Sequence, residues 1–360
     1  MQCLFLPKIL LMTHFHSLKV IAINNITSKA VVITFEIPED LINLYKFIPG
    51  QYITIKKEFN GKELRRSYSI CSGKDEKNIS VGIKEMPNGT FSKYAQTIKV
   101  GDVLEVHPPE GRFTFEATDY EGKNVAAFVA GSGITPIMSI AKDILHNTDK
   151  NLMLVYGNKS LSETMFHQDL MELLKEFPNR FSAQFVYSQT EEEGSLFGRI
   201  ERSTINYILK NKHKETPFDA FYICGPEAMI ESTSETLKEN GIEENKIHVE
   251  HFTTSDDHSE VPDSIGDGKT KVKVLIDDEE TEIVMDRKQR VLDAVLAEDL
   301  DAPYSCQGGV CSSCVARLTE GKVEMVKNQI LTDGEIAEGL ILTCQAHPTS
   351  DSISIDFDDV

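Results

Sequence analysis

The sequence predicts a multidomain protein with three folded parts: a small antiparallel β-barrel, a doubly wound α/β domain, and an α+β module gathered round a set of cysteines. Three observations predict it. At 360 residues the chain is longer than one compact core usually organises. Its first part is a series of short β-branched segments with Gly and Pro corners, and its second alternates apolar strand-length runs with helical patterns. Near the C-terminus Cys306, Cys311 and Cys314 share one loop and Cys344 stands far downstream, in the spacing C-x4-C-x2-C-x29-C.

The opening stretch, MQCLFLPKILLM, is apolar but lacks the basic lead, long apolar core and small-residue cleavage site of a secretory signal. Residues 1–13 are expected to be an extension, with Met12 the working start. Residues 14–118 are expected to form the barrel. Ser17 to Ile37 and Gln51 to Lys57 are β-branched, with turns expected at Asn24-Asn25 and Pro49-Gly50. Ile79–Lys84 and Val103–Val106 continue the pattern, separated by Pro87-Asn-Gly89, Gly101-Asp102 and Pro108-Pro-Glu-Gly111.

Residues 119–252 change character. Val125–Ala130 is a continuous apolar run, as expected of a strand buried on both faces of a parallel sheet. Gly131-Ser-Gly133 follows, then a helical pattern from Pro136 to Leu145. Strand and helix patterns alternate again at Leu152–Tyr156, Met165–Phe177, Ser182–Tyr187, Ile200–Leu209, Ala220–Cys224 and Ala228–Asn240, which is the signature of a doubly wound sheet. The polar, aperiodic stretch 253–269 reads as a linker. In residues 270–360, Lys271–Ile276 and Thr281–Met285 flank Asp277–Glu280 as a hairpin, and Val291–Leu300 fits a short helix leading to the cysteine loop.

Charge excludes some partners. Of the net −20, residues 253–360 hold 24 Asp and Glu against 9 Lys and Arg. So acidic a module repels nucleic acid and anionic membranes and is steered towards basic protein surfaces; a generally acidic proteome is the plainer explanation. The chain has no apolar run of the length a membrane span needs.

Four cysteines in this spacing are the ligand arithmetic of a plant-type 2Fe-2S centre. Gly308 and Gly309 allow the loop to wrap closely. Structural zinc loops bring two C-x2-4-C pairs, and one pair is missing. A disulfide framework sits poorly with seven cysteines and no secretory signal, which also places the chain in the cytoplasm. Upstream, Ala130-Gly-Ser-Gly-Ile-Thr-Pro136 lies where a strand gives way to a helix, so its amides can cradle a pyrophosphate; a tight turn is the bland alternative. Tyr156-Gly-Asn158 and Cys224-Gly-Pro226 are two further strand ends, and all three should fall on the carboxyl edge of one sheet. In the barrel, Arg65-Arg-Ser-Tyr-Ser69 offers a guanidinium for phosphate, an aromatic face for a flat ring and hydroxyls for its heteroatoms.

By these motifs the chain resembles the ferredoxin-NADP reductase superfamily, in the arrangement with a plant-type ferredoxin domain at the C-terminus, and within it the reductases of phenylacetyl-CoA epoxidase systems. The resemblance runs from Met12 to Val360 and is carried by Pro49-Gly-Gln-Tyr52, Arg66-Ser-Tyr-Ser69, Gly111-Arg-Phe113, Gly131-Ser-Gly-Ile-Thr-Pro136, Cys224-Gly-Pro226 and the four cysteines. It implies an antiparallel β-barrel FAD domain, an α/β doubly wound nucleotide domain and an α+β ferredoxin domain. It implies that Arg66 holds the FAD pyrophosphate, Tyr68 stacks on the isoalloxazine and Ser69 hydrogen-bonds near its N5, with Ser67 in the same cofactor-binding set. Ile83, Lys84, Gly89, Thr90 and Ser92 would complete the FAD site. Gly131, Ser132, Gly133, Thr135, Pro136 and Asn158 would meet NADPH or NADH, and Cys224, Gly225 and Pro226 would lie beside the nicotinamide, Cys224 as a small packing residue. Cys306, Cys311, Cys314 and Cys344 would ligate the 2Fe-2S cluster. Cys3 and Cys71 are read as structural or incidental.

One departure stands out: many NADPH-using relatives carry Ser-Arg where this chain has Tyr187-Ser-Gln189. Glutamine has no charge for a ribose 2′-phosphate; Lys159 could substitute as a point charge, and the choice between NADH and NADPH stays open. The implied activity is an NAD(P)H:acceptor oxidoreductase. A hydride carries two electrons and the cluster one, so a flavin must divide the pair. No acid or base is needed at the hydride step, and no catalytic residue is assigned. The electron acceptor implied is an oxygenase component docking on the acidic C-terminal domain, with the linker letting that domain swing. A free-standing diaphorase and a redox sensor without turnover are the alternatives; an intact hydride site argues against the sensor.

Overall fold

The computed structural model describes residues 14–252 and 261–360. The expected extension 1–13, with Cys3 and Met12, and residues 253–260 of the expected linker lie outside the described residues. The chain divides into two compact units, residues 1–252 and 253–360.

The first sheet of the first unit contains β1 (His16–Thr27), β2 (Ala30–Phe35), β3 (Tyr52–Phe59), β4 (Lys62–Ser69), β5 (Ile79–Lys84) and β6 (Val103–Val106), in the order β4-β3-β6-β1-β2-β5. All pairings are antiparallel. The chain leaving β4 closes the barrel, because Ile70 bridges Val81 on β5 and Cys71 N donates to Ser80 O at 2.8 Å. Inside lie Leu18, Val20, Ile53, Ile55, Val81 and Ile83, each fully buried and each contributing about 1.5–3 kcal/mol by burial. The β1–β2 turn falls at Ser28-Lys29, not at Asn24-Asn25. Those asparagines sit within β1 opposite Val32 and Val31, so pairing with β2 overrides their turn preference.

Alternation along β2 explains why barrel and α/β domain form one unit. Val31, Ile33 and Phe35 point into the barrel, while Ala30 and Val32 join the core beneath the second sheet, together with Phe113, Phe115 and Cys71. A strand with period 2 can serve two cores at once.

The second sheet comprises β7 (Asn124–Ala130), β8 (Asn151–Asn158), β9 (Phe181–Tyr187), β10 (Leu196–Phe197), β11 (Ala220–Gly225) and β12 (Ile247–His251), in the order β10-β9-β8-β7-β11-β12. Every pairing is parallel, and helices Ile134–Asn147, His167–Glu176 and Glu227–Glu239 supply crossovers. After β7 the chain winds outward through β8 and β9, then returns to lay β11 on the other side. The strand order therefore reverses between β7 and β11, which is where an open α/β sheet leaves a crevice.

In the second unit β13 (Lys269–Ile276) and β14 (Glu279–Asp286) form the expected hairpin. Its two-residue turn, Asp277-Asp278, has φ of 53° and 62°, matching the twist of the strands, and both amides donate to the Asp358 carboxylate at 2.9 Å. β15 (Val315–Glu320), β16 (Val323–Met325), β17 (Leu340–Leu342), β18 (Ala346–Pro348) and β19 (Ser352–Asp356) complete a five-stranded sheet, β14-β13-β19-β15-β17, and a two-stranded one, β16-β18. Helix Val291–Ala297 packs its apolar face on this core. Ile265, inside the stretch read as linker, is 2% exposed, and Ser264 donates to the Glu324 carboxylate at 3.0 Å, so the stretch is anchored to the second unit at these two residues while most of those around them are exposed.

Gly50 has φ +103°, and a Cβ there would overlap the carbonyl oxygen of Phe113. Gly50→Ala is expected to cost about 3 kcal/mol or more, from a left-handed backbone and a clash together. Gly61→Ala, at φ +77° with open space around it, should cost only about 1–2 kcal/mol. Thermal melts of the two variants check the contrast.

Candidate functional sites

On β4, neighbouring arginines face opposite ways. Arg65 is nearly buried and occupied: its Nε meets the Glu63 carboxylate at 2.7 Å and its guanidinium lies 4.9 Å from the Phe15 ring. Arg66 lies on the other face, half-buried, with Nη1 donating to Arg65 O at 2.7 Å. Tyr68, one alternation further, tilts against Phe91 with ring centroids 5.5 Å apart, and burial pushes its phenol well above the ordinary range. Phe91 belongs to helix Thr90–Ala95, which Gly89 precedes, so this contact brings the two segments named for FAD together. The turn is tight: a Cβ at Gly89 would overlap Ser92 Oγ, which accepts from Met86 N at 3.1 Å.

Other residues of the expected FAD site are placed less openly. Ser69 is buried opposite Tyr52. Ile83 is wholly in the barrel core and its carbonyl accepts from Gln96 Nε2 at 3.3 Å. Lys84 is partly buried, with Nζ 3.8 Å from Glu163, and burial lowers its pKa. Thr90 is exposed and Ser67 half-buried. A guanidinium, a half-open phenol ring and a helix-opening turn suit a flat ring carrying a diphosphate.

At the crevice of the second sheet, the turn after β7 touches the end of β11 backbone to backbone. A Cβ at Gly133 would fall inside the Cys224 carbonyl and 3.0 Å from Gly225 N. Gly131 takes φ +57°, and its carbonyl accepts from the Tyr156 hydroxyl at 3.0 Å. Asn158, at the end of β8, has both side-chain amide atoms buried without a hydrogen-bond partner. Buried polar atoms left orphaned at the carboxyl edge are what a nucleotide would satisfy. Thr135 is turned inward, 2% exposed, its hydroxyl on Ser132 O at 3.0 Å and its methyl against Gly82. Pro136 is buried in the same helix, while Ser132 is half-buried and Pro226 exposed. Cys224 is fully buried, and burial pushes its thiol well above the ordinary range, which suits packing and not redox chemistry. Ser188 N and Gln189 N donate to Asn158 O and Lys159 O at 3.0 and 2.9 Å, so the departure at Gln189 lies beside the same strand ends.

In the second unit the four cysteines converge. The Cys306 sulfur accepts from the thiols of Cys311 and Cys344, which holds it well below the ordinary thiol range, and Gly308 N adds a hydrogen bond at 3.3 Å. Cys344 also meets Cys314. Cys311, Cys314 and Cys344 are buried and Cys306 half-buried. Among the described residues no His, Cys, Asp and Glu side chains form a single-ion site; a two-iron centre asks instead for four thiolates disposed around a larger core. The loop is held by contacts the sequence did not announce. Gln307 takes φ 54°, and its carbonyl accepts from Gln345 Nε2 at 3.0 Å, the same amide reaching Cys344 O at 2.8 Å. The Cys314 carbonyl accepts from Thr343 N and Oγ1 at 3.1 and 2.9 Å. Gly309, at φ +72°, is required by Lys327 O, 2.7 Å from where a Cβ would stand, so it seats the loop on its own unit.

These three sites define a class: an oxidoreductase that joins a flavin barrel, a nucleotide sheet and an iron-sulfur module in one chain. Family models agree, matching an oxidoreductase FAD-binding domain at residues 17–115, an oxidoreductase NAD-binding domain at 128–235 and a 2Fe-2S iron-sulfur cluster binding domain at 274–349. The chain is 37% identical over 351 residues to one of the subunits of the 1,2-phenylacetyl-CoA epoxidase of Escherichia coli K12, covering 96% of this chain and 99% of the relative. It is 30% identical to the ferredoxin reductase component of 3-ketosteroid-9-alpha-monooxygenase from Rhodococcus rhodochrous, covering 94% and 96%. Among solved structures, phthalate dioxygenase reductase shares the fold, with TM-score 0.63, 20% identity and coverage of 95% and 98%. The chain therefore belongs to the ferredoxin-NADP reductase superfamily, in its branch with a C-terminal plant-type ferredoxin domain. It is an NAD(P)H-dependent oxidoreductase whose cofactors are FAD and a 2Fe-2S cluster. Among the described residues no helix is long and apolar enough to cross a membrane.

Cys344→Ser removes the one ligand contributed from outside the loop. The purified variant is expected to keep FAD at the wild-type ratio and to lose most of its iron and acid-labile sulfide, as read by flavin release and iron and sulfide assays.

Proposed function

We propose that this chain is the reductase component of a multicomponent oxygenase, taking a hydride from NAD(P)H and delivering electrons singly to an oxygenase partner of the phenylacetyl-CoA epoxidase kind. The observation that carries the reading is the end-to-end likeness to a subunit of that epoxidase, across both units and all three domains. FAD supplies the chemistry between, accepting two electrons together and releasing them one at a time. The chain's own residues bind and orient. Arg66 and the Gly89–Ser92 turn hold the diphosphate, Tyr68 and Ser69 face the flavin ring, and the Gly131–Gly133 turn with Asn158 holds the nucleotide. The Cys224–Pro226 loop closes the crevice beside the nicotinamide, and Cys306, Cys311, Cys314 and Cys344 hold the iron.

The partner docks on the C-terminal unit in this reading. Its 24 acidic residues against 9 basic ones favour a basic acceptor surface and a salt-sensitive encounter. The six described cysteines are all free, which supports a reducing, cytoplasmic setting. A diaphorase serving small acceptors is the competing reading, favoured by no contact in either unit.

Anaerobic stopped-flow mixing with NADH and NADPH in parallel tests the wiring: flavin bleaching should come first and cluster bleaching second, faster with one nucleotide. Cytochrome c, a basic one-electron acceptor, should then be reduced at a rate that falls several-fold from 50 to 200 mM salt, the change in screening affecting opposite surface charges. Flavin bleaching without cluster bleaching would sink the reading in favour of the diaphorase.

A further inference from the structure

The segment leaving the barrel is tied to the nucleotide sheet by a partly buried chain of hydrogen bonds that the sites above do not use. Tyr222 lies on β11, two residues before Cys224, and is fully buried. Its hydroxyl donates to Thr114 O at 2.9 Å. Its ring meets Phe113 edge-on at 5.2 Å, and the His248 ring stacks on it at 4.8 Å and 18°. The Tyr120 hydroxyl stands 2.9 Å from Tyr222 Oη and 2.9 Å from His248 Nε2. Counting protons orders the chain. Tyr222 has one hydrogen and gives it to Thr114 O, so Tyr120 must donate to Tyr222, and His248 Nε2 must donate to Tyr120. Burial raises the pKa of both tyrosines, which keeps their hydrogens in place.

The path continues to the flavin face without a gap. The carbonyl of Phe113 is the atom against which Gly50 is pressed. Two residues on, Tyr52 exchanges hydrogen bonds with Glu110 at 2.8 and 2.9 Å and pairs across β3–β4 with Ser69. Aromatic packing alone is non-directional and tolerates sliding; a hydrogen bond fixes distance and direction.

We infer that Tyr222, backed by Tyr120 and His248, is a positioning residue for hydride transfer: its hydroxyl locks the Phe113–Phe115 segment to the strand carrying Cys224 and so sets the spacing between flavin face and nucleotide edge. This rests on the NAD(P)H-to-FAD reading above. The residue touches neither ring; it acts through the backbones that do.

The test compares the wild type, Tyr222→Phe and Tyr120→Phe, each as the full chain. Tyr222→Phe is expected to slow flavin reduction at saturating nucleotide about ten- to a hundred-fold, the scale of a misplacement near 1 Å, while nucleotide Kd stays within about twofold. Tyr120→Phe, which leaves the bond to Thr114, should slow it only about threefold. A second readout needs no cofactor: in FAD-free protein, amide hydrogen exchange across residues 112–120 should rise in both variants. Reduction by Tyr222→Phe within about twofold of wild type, or a loss confined to Kd, overturns the inference. Should Tyr222→Phe not fold, Tyr120→Phe decides, and unchanged reduction with unchanged exchange overturns it. A wild type that neither nucleotide reduces defeats the parent reading instead, leaving the exchange readout to judge the tie itself.

Discussion

The nucleotide crevice depends on two backbones lying closer than any side chain would allow. Where the strand order of the second sheet reverses, the turn after β7 meets the carboxyl end of β11, with Gly133 against the Cys224 carbonyl. A parallel sheet spaces neighbouring strands about 4.8 Å apart, so loops leaving adjacent carboxyl ends can interlock only if one lacks a Cβ at the contact. Much else follows from that approach. It lets the Gly131 carbonyl reach the Tyr156 hydroxyl and starts helix Ile134–Asn147 hard against the sheet, while at the neighbouring strand end the buried side-chain amide of Asn158 has no hydrogen-bond partner.

The barrel is fused to that sheet, not merely adjacent to it. β2 turns alternate residues into two cores, Gly82 of β5 lies against the Thr135 methyl, and Phe113 and Phe115 are buried under the sheet. Transfer of a hydride requires two rings held at contact distance, and a pair of domains joined by a thin polar interface would swing freely. Here the same residues that stabilise the barrel also hold it against the nucleotide domain, so stability and alignment come from one set of contacts. Thr135 illustrates the result: expected from sequence to meet the nucleotide, it also serves that junction, its hydroxyl donating to Ser132 O and its methyl packing on the barrel.

What was legible in the sequence was what is local. Val103–Val106 is found as read, and β7 within one residue, because β-branched runs bounded by glycine and other turn residues leave little choice. The three strand-end loops fall on one sheet edge as their spacing implied, and the four cysteines are brought together. The Asn24-Asn25 turn failed because an asparagine's preference is worth less than pairing with β2, which both residues join. β12 and the short strands β15 to β19 went unread, since each is three to six residues long and is defined by partners distant in sequence. Gln345 and the Tyr222 chain were invisible for the same reason: Thr114, Tyr120, Tyr222 and His248 share no motif and meet only after folding.

The iron-sulfur unit poses a different physical problem, since an electron must be held and yet be able to leave. Burying Cys311, Cys314 and Cys344 excludes water from most of the donor set, and low dielectric there disfavours the added negative charge of reduction. Hydrogen bonds to sulfur work in the opposite direction. Gly308 N on Cys306 and the Gln345 amide near Cys344, at 3.8 Å, place positive ends of dipoles where that charge would accumulate. Cys306 is the most exposed of the four and accepts a backbone hydrogen bond, from Gly308 N at 3.3 Å, so part of that stabilisation would fall at the ligand nearest solvent. The three buried cysteines would keep water from the remainder of the centre.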